Sequence, residues 1–413
     1  MLLSKGLTLL GFGVGLGVGI GYSTTSKISL ERNLDKTLET NNVVKSDDTS
    51  RIETLNNNRN RNVIKTLNRE IISWKEANCI PGISVCVMVG GKVVFNKGYG
   101  YSDIENAIPM SADTKFRIAS ISKTLTSSGV GVLLDQGKLS LDDSIYKHVP
   151  EFPRHPKYPD MDITIRQIAS HLGGIRHYKK GKESEHFSTV QYKSSKVKSL
   201  EKYPTPLDIF ISDPWHEHQP GLKYNYSTFS FTLLGTVLEN VTGMDYASFM
   251  KSNIFDPIGM KNTVVDEHDT VIPGRTRQYN LVGNSNSTVP FQLKNCELAN
   301  VSYKHAGGGF LSTSRDICKF GSAIMSGAIL QPSTVAQLFT EQTNSSGELV
   351  KYGIGWQLKK RFVYHTGNAV GGSTVLVMIP DQSIVVCVLT NQQNTRQIDE
   401  FGFKLASIFD KTQ

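Results

Sequence analysis

With 413 residues, a formal net charge of +8 and 38% hydrophobic residues, the chain can hold one large catalytic domain or two modest ones. Its basic excess is moderate and is not organised into basic-aromatic blocks, which argues against a nucleic-acid partner and fits an anionic membrane surface equally well. The five cysteines (Cys79, Cys86, Cys296, Cys318 and Cys387) are scattered, odd in number and without C-x-x-C spacing, which excludes a disulfide framework or zinc ribbon and leaves buried free thiols.

Residues 6–26 carry no charge, and 7–22 are apolar with glycine at alternate positions, flanked by Lys5 and Lys27. A run of about 20 such residues can cross a bilayer as a helix. Gly11, Gly15 and Gly19 fall on one ridge, the small-residue spacing of packed membrane helices. That much glycine also weakens a helix, so 1–28 is read as a targeting or membrane-anchor segment, with cleavage and retention both open. Residues 29–62, rich in Asn, Thr, Ser, Asp, Lys and Arg and poor in aromatics, read as a polar linker.

The catalytic domain is expected over 63–413. A helix is predicted over 63–77, where Val63, Ile64, Leu67, Ile71, Ile72 and Trp74 recur at helical spacing. Alternating valines predict a hairpin of strands 80–89 and 92–99 around Gly90-Gly91. Phe116-Arg117-Ile118-Ala119 reads as a short extended approach to Ser120-Ile121-Ser122-Lys123, and 124–134 as a buried helix. On a helix residues i and i+3 share a face, so Lys123 Nζ can reach Ser120 Oγ. A serine at a helix N-terminus also has its own N–H free for developing negative charge. Alone, such a tetrapeptide equally describes a capped helix start with a solvated lysine.

Residues 179–202 are charged and weakly apolar, a solvated insertion whose alternative roles are substrate gating or self-assembly. His216-Glu217-His218 lacks further ligands at suitable spacing, so no metal is expected, and no cofactor. Pro220-Gly221 opens a turn through Tyr224-Asn225-Tyr226-Ser227-Thr228 into an apolar helix over 229–237. Asn225-Tyr226-Ser227 is a glycosylation sequon on that tyrosine, which weighs against passage through the secretory route. Residues 363–367 end a strand at His365-Thr366-Gly367 and run into Asn368-Ala369-Val370-Gly371-Gly372. Strands 372–379 and 383–389, turned at Pro380-Asp381-Gln382, and a final helix over 399–409 complete the pattern. The expected fold is therefore α+β: an antiparallel sheet flanked by N- and C-terminal helices, with an inserted all-helical lobe.

The segments Phe116 to Lys123, Val149-Pro150-Glu151-Phe152-Pro153, His171-Leu172-Gly173-Gly174-Ile175-Arg176-His177-Tyr178 and Gly307-Gly308-Gly309-Phe310-Leu311-Ser312-Thr313 occur in order with Tyr226-Ser227-Thr228 and His365-Thr366-Gly367. From about residue 60 onward the chain thereby resembles the animal mitochondrial serine β-lactamase-like proteins, within the class C β-lactamase and penicillin-binding-protein superfamily of β-lactamase/transpeptidase fold. The resemblance implies a serine hydrolase, acting as a peptidase through an acyl-serine intermediate on a peptide or ester substrate. It further implies membrane association in the mitochondrial intermembrane space, homo-oligomers or filaments, and an influence on lipid metabolism.

In that frame Ser120 attacks a carbonyl, and Lys123 with Tyr226 forms a coupled base whose proton position the sequence leaves open. The N–H groups of Ser120 and Asn368 form the oxyanion hole, with Gly367 letting the strand approach the substrate closely. Two departures matter. Thr228 stands where related β-lactamases commonly have the Asn that contacts the substrate amide, and His365 stands where they have Lys. A histidine of pKa about 6.5 is mostly neutral at pH 7 and holds a free carboxylate less well. The expected activity is therefore on peptides or esters rather than β-lactams.

Overall fold

The computed structural model describes residues 58–179, 189–197, 202–212, 215–283 and 291–410. The expected anchor 1–28, the linker up to residue 57, and residues 180–188 and 198–201 of the charged insertion lie outside the described residues. The first helix, α1 (Asn58–Ala77), starts at Asn58 rather than at 63 and presents Leu67 and Ile71, both fully buried, to a sheet. The hairpin follows as β1 (Gly82–Val89) and β2 (Lys92–Asp103), with a two-residue β3 (Ile108–Pro109) beside it. Then come β4 (Phe116–Arg117), the buried helix α2 (Ser122–Asp135) and α3 (Thr228–Thr242). A short turn of helix, α4 (His305–Gly308), leads into β5 (Phe310–Ser312) and α5 (Ser314–Met325). The chain ends in β6 (Gln357–Lys359), β7 (Phe362–Ala369), β8 (Gly372–Ile379), β9 (Ile384–Thr390) and α6 (Ile398–Ser407).

These strands form a seven-stranded sheet in the order β6-β7-β8-β9-β1-β2-β3, every pairing antiparallel. The first strand and one of the last meet in its middle, where β1 pairs with β9 from Ile83↔Thr390 to Val89↔Ile384. Because side chains alternate across a strand, Val85, Val87, Val386 and Val388 face one side, and Cys86, Met88, Val385 and Cys387 the other. On the first face α1 and α6 cover the valines with Leu67, Ile71, Phe401 and Leu405, and Trp74 stacks on Phe401 at 4.1 Å. On the second face α5 brings Ile317, Phe320 and Ile324, and the helical lobe continues the same core through Leu125, Leu133, Phe231 and Leu234. Each fully buried side chain of this size stabilises the fold by roughly 1.5–3 kcal/mol. The α+β reading with an inserted helical lobe is thus the observed architecture.

The main departure lies at β7. The strand does not end at Gly367 but runs to Ala369, and a turn at Val370-Gly371, with Gly371 at φ +75°, sends the chain straight into β8. Asn368 therefore belongs to a strand. Since β6 pairs only with Phe362, Val363 and Tyr364, the remainder of β7 keeps an open edge among the described strands. All five cysteines are free, with Cys86, Cys318 and Cys387 buried together between the sheet and α5. Among the described residues no helix is long and apolar enough to cross a membrane.

Candidate active site

The open edge of β7 faces the start of α2. Phe116 and Arg117 pair with Ser312 and Leu311, and Ile118 N–H donates to Phe310 O at 3.1 Å, so the approach to Ser120 is held as extended chain. Ala119 then takes φ +49°, a conformation that costs a residue with a Cβ about 1–3 kcal/mol and turns the chain sharply into the helix. Arg117 anchors the approach from behind. Its Nε donates to Asp266 at 2.7 Å, with both side chains buried, and its other nitrogens donate to Val370 O at 3.0 Å and Ala299 O at 3.2 Å. The strand before Ser120 is thereby tied to the β7–β8 turn.

Around Ser120 three groups converge. Lys123 Nζ lies 3.0 Å from Ser120 Oγ and donates to Gly307 O at 2.6 Å, and the Tyr226 hydroxyl is hydrogen-bonded to Ser120. Gly307 can offer its carbonyl because it has no side chain: a Cβ there would come within 2.9 Å of both Thr228 Cγ2 and Thr228 O. Tyr226 precedes α3, whose N-cap Ser227 accepts from Ser230 N–H. The cleft around these residues measures about 370 Å³ and is lined by Ser120, His177, Tyr226, Thr228, Lys304 and Asn368 among others.

Electrostatics separates the two candidate bases. Lys123 is fully buried; desolvation, and then the nearby charge of Lys304, push its pKa well below the ordinary lysine value. Burial pushes the Tyr226 phenol upward, outweighing the hydrogen bond from Ser120. Burial thus favours the neutral amine on Lys123 and the protonated phenol on Tyr226, the arrangement in which the lysine is the more ready proton acceptor of the two. Lys304, on the cleft wall, is lowered to about 7 by burial and the Arg117 charge, and its Nζ lies 5.6 and 5.3 Å from the centres of the Tyr178 and Tyr303 rings.

The Ser120 N–H sits in the first turn of the helix, where no intrahelical acceptor exists. For Asn368 the argument is one of strand direction. Thr366 N–H points out of the open edge, donating to Gln357 Oε1 at 3.3 Å, so the Asn368 N–H two residues on points the same way. The Asn368 side chain is turned aside, with Nδ2 donating to Asn394 Oδ1 at 2.6 Å and Oδ1 accepting from Asn394 N–H at 3.1 Å.

His365 and Gly367 have internal partners in the structure. His365 does not form part of the cleft wall. It is fully buried, its Nδ1–H donating to Thr366 O at 2.6 Å and its Nε2 accepting from the Tyr352 hydroxyl at 3.0 Å. Burial, and then the Lys123 amine, lower its pKa to about 3, so it is a neutral strut behind Tyr226 rather than a reader of substrate charge. Gly367 serves a close approach, but to the protein's own backbone. A Cβ there would sit 2.3 Å from Thr374 Oγ1 and 2.5 Å from Ile118 O, so the glycine lets β7 press against the segment before Ser120.

The cleft also holds residues to which the sequence reading gave no role. His177 Nδ1 accepts from Thr228 N–H at 3.2 Å, and burial lowers its pKa to about 4. His171, Lys304, Tyr352 and Gln357 surround the same site. The only advance signal for the histidines was the ordered segment His171 to Tyr178, which has no periodicity that would aim a side chain.

A family model described as Beta-lactamase matches residues 64–407. The mitochondrial serine beta-lactamase-like protein of Homo sapiens is 31% identical, over 80% of this chain and 77% of its own. Among solved structures, the octameric penicillin-binding protein homologue from Pyrococcus abyssi superposes with a TM-score of 0.67 at 23% identity, covering 84% of this chain and 77% of that one. The D-amino acid amidase from Ochrobactrum anthropi gives 0.66 at 23% identity, covering 84% and 100%. At such identities the two structures speak to the fold.

Proposed function

The chain belongs to the beta-lactamase family, and from that membership we propose that it is a serine hydrolase cleaving peptide or ester bonds through an acyl-enzyme on Ser120. Neutral Lys123 takes the Ser120 hydroxyl proton as Oγ attacks the substrate carbonyl carbon. The N–H groups of Ser120 and Asn368 receive the developing oxyanion; one such donor is commonly worth about 10²–10³ in rate. As the tetrahedral intermediate collapses, a proton passes by way of the Tyr226 hydroxyl to the leaving amine or alkoxide. Water then attacks the acyl-serine with Lys123 again as base, restoring the free hydroxyl. The observation that carries this reading is the fully buried Lys123 amine, 3.0 Å from Ser120 Oγ and bonded to a neutral carbonyl rather than a carboxylate.

A peptidase is preferred to a β-lactamase because Thr228 and the buried His365 leave no amide-reading Asn and no lysine on that strand. A purely structural role with a decayed site is disfavoured by the strained Ala119 and the buried amine, both costly features gathered at Ser120. Mitochondrial location is proposed from the names of the relatives, and an inner-membrane attachment in the intermembrane space through residues 1–28, a linker from residue 29 that gives way to α1 at Asn58 rather than after 62, and a role in lipid metabolism from the resemblance. Homo-oligomeric or filament assembly is supported by the resemblance and by the octamer reported for the Pyrococcus protein, and 179–202 is a candidate gate or assembly segment. A fluorophosphonate probe should label Ser120 and fail on a folded Ser120→Ala variant; a folded wild type that resists labelling under conditions that label a related hydrolase contradicts the proposal.

A further inference from the structure

His171 plays no part in the mechanism above, yet it is tied to both chain neighbours of Tyr226. Its carbonyl oxygen accepts from Asn225 N–H at 2.9 Å, and its ring Nδ1 accepts from Ser227 N–H at 3.2 Å. Its ring centre lies 4.5 Å from that of Tyr226, 4.7 Å from Tyr352 and 5.4 Å from Phe231. One residue therefore brackets the main chain immediately before and after the tyrosine and packs on the tyrosine's own ring.

The arrangement carries visible penalties. His171 takes φ +62°, where side chains with a Cβ are uncommon, and its Nε2 is buried with no hydrogen-bond partner among the described residues. A residue needed only to fill an aromatic cage would be apolar. A buried ring nitrogen left unsatisfied calls for an explanation, and here the other nitrogen supplies one. We infer that His171 is a positioning residue that fixes the Tyr226 hydroxyl against Ser120 by clamping the main chain on both sides of the tyrosine, in the tautomer with Nδ1 bare and the proton on Nε2. The titratable groups facing its ring are Lys123, His177 and His365 with Tyr224, Tyr226 and Tyr352. None is a carboxylate that could retain a proton on Nδ1, and burial keeps the ring neutral.

The kinetic side of this inference rests on the serine-hydrolase reading; its structural side does not. The full chain is compared with His171→Phe, which fills the space without an acceptor, and His171→Asn, whose amide oxygen can stand in for Nδ1 and which tolerates positive φ. In the wild type, ¹⁵N spectra of labelled histidine should show a bare Nδ1 and a protonated Nε2. The Tyr226 ¹³Cζ signal, identified through Tyr226→Phe, should shift or broaden in His171→Phe and return towards its wild-type position in His171→Asn. With an activated aryl ester, His171→Phe should lose about 10²-fold in kcat with KM within about twofold, and His171→Asn should recover most of that loss. A protonated Nδ1 in the wild type, an unmoved Tyr226 signal in His171→Phe, or an asparagine variant as impaired as the phenylalanine one overturns the inference. Should His171→Phe not fold, the wild-type tautomer and the asparagine variant still decide. If the wild type neither turns over the ester nor is labelled at Ser120, the hydrolase reading fails, while the two spectroscopic readouts still judge the clamp.

Discussion

Replacing Lys123 by methionine removes the amine but keeps an unbranched chain of similar length, and it separates what the residue does for catalysis from what it does to stability. The amine is fully buried, and burial holds its pKa well below the value of about 10.4 that it has in the unfolded chain. Between those two values the unfolded chain binds one proton more than the folded one. Wild-type stability therefore rises with pH across that window and levels off above the unfolded value, with a slope of about 1.36 kcal/mol per pH unit from this residue. Lys123→Met lacks that slope. Urea titrations from about pH 7 to pH 10 should show wild-type stability gaining on the variant by that amount per unit for as long as the pH lies above the depressed pKa. Meanwhile kcat/KM for an aryl ester should fall by about 10²–10⁴, or roughly 3–5 kcal/mol of transition-state stabilisation. Parallel stability curves would show that Lys123 stays charged in the fold and is no resting base. Activity within about tenfold of wild type would remove it from the mechanism altogether.

Three histidines around Tyr226, with His171 and His365 fully buried and His177 partly so, help to make the opposite edge of the pH range fragile. His171 lies well below the usual histidine pKa, His177 at about 4 and His365 at about 3. Below about 6.5 the unfolded chain takes up protons that these rings refuse, so stability should fall by up to about 4 kcal/mol per pH unit, measurable by thermal melts between pH 6.5 and 4.5. Arg117→Met leaves Asp266 buried with, among the described residues, the longer ion pair to Arg275 at 3.6 Å, and should cost about 3–5 kcal/mol in chemical denaturation. Gly367→Ala drives a methyl into Ile118 O and Thr374 Oγ1, so fluorophosphonate labelling of Ser120 should slow by at least about tenfold even where the variant folds. Nitrocefin turnover by the wild type should stay far below its turnover of aryl esters, read by absorbance.

The parts of the molecule visible from residues alone were those written locally. Ser120 and Lys123 sit three residues apart, a spacing that puts both on one helix face and allows the 3.0 Å approach, which the accompanying motifs favour over a solvated lysine. Alternating valines gave away the hairpin of β1 and β2, because a strand's period of two is written into neighbouring residues. What stayed hidden depends on contacts far apart in the chain. His171 meets Ser227 across 56 positions and His177 meets Thr228 across 51. No helical or strand period governs the irregular segment that carries them. The direction in which the His365 side chain points is not legible in the sequence either. Only the packed Tyr352 ring and the neighbouring Thr366 carbonyl reveal that it turns inward. Likewise the need for glycine at 367 comes from Thr374 Oγ1 and Ile118 O, two groups 256 positions apart in the chain.

The central claim is that a neutral Lys123 activates Ser120. Its most direct test is the rate of Ser120 acylation by a fluorophosphonate as a function of pH, with the modified residue identified by peptide mass spectrometry. The account predicts a single adduct on Ser120, forming more slowly as pH falls through the depressed Lys123 pKa, and reduced about 10²-fold or more in Lys123→Met. An adduct on another residue, or a rate that Lys123→Met leaves unchanged, would contradict it.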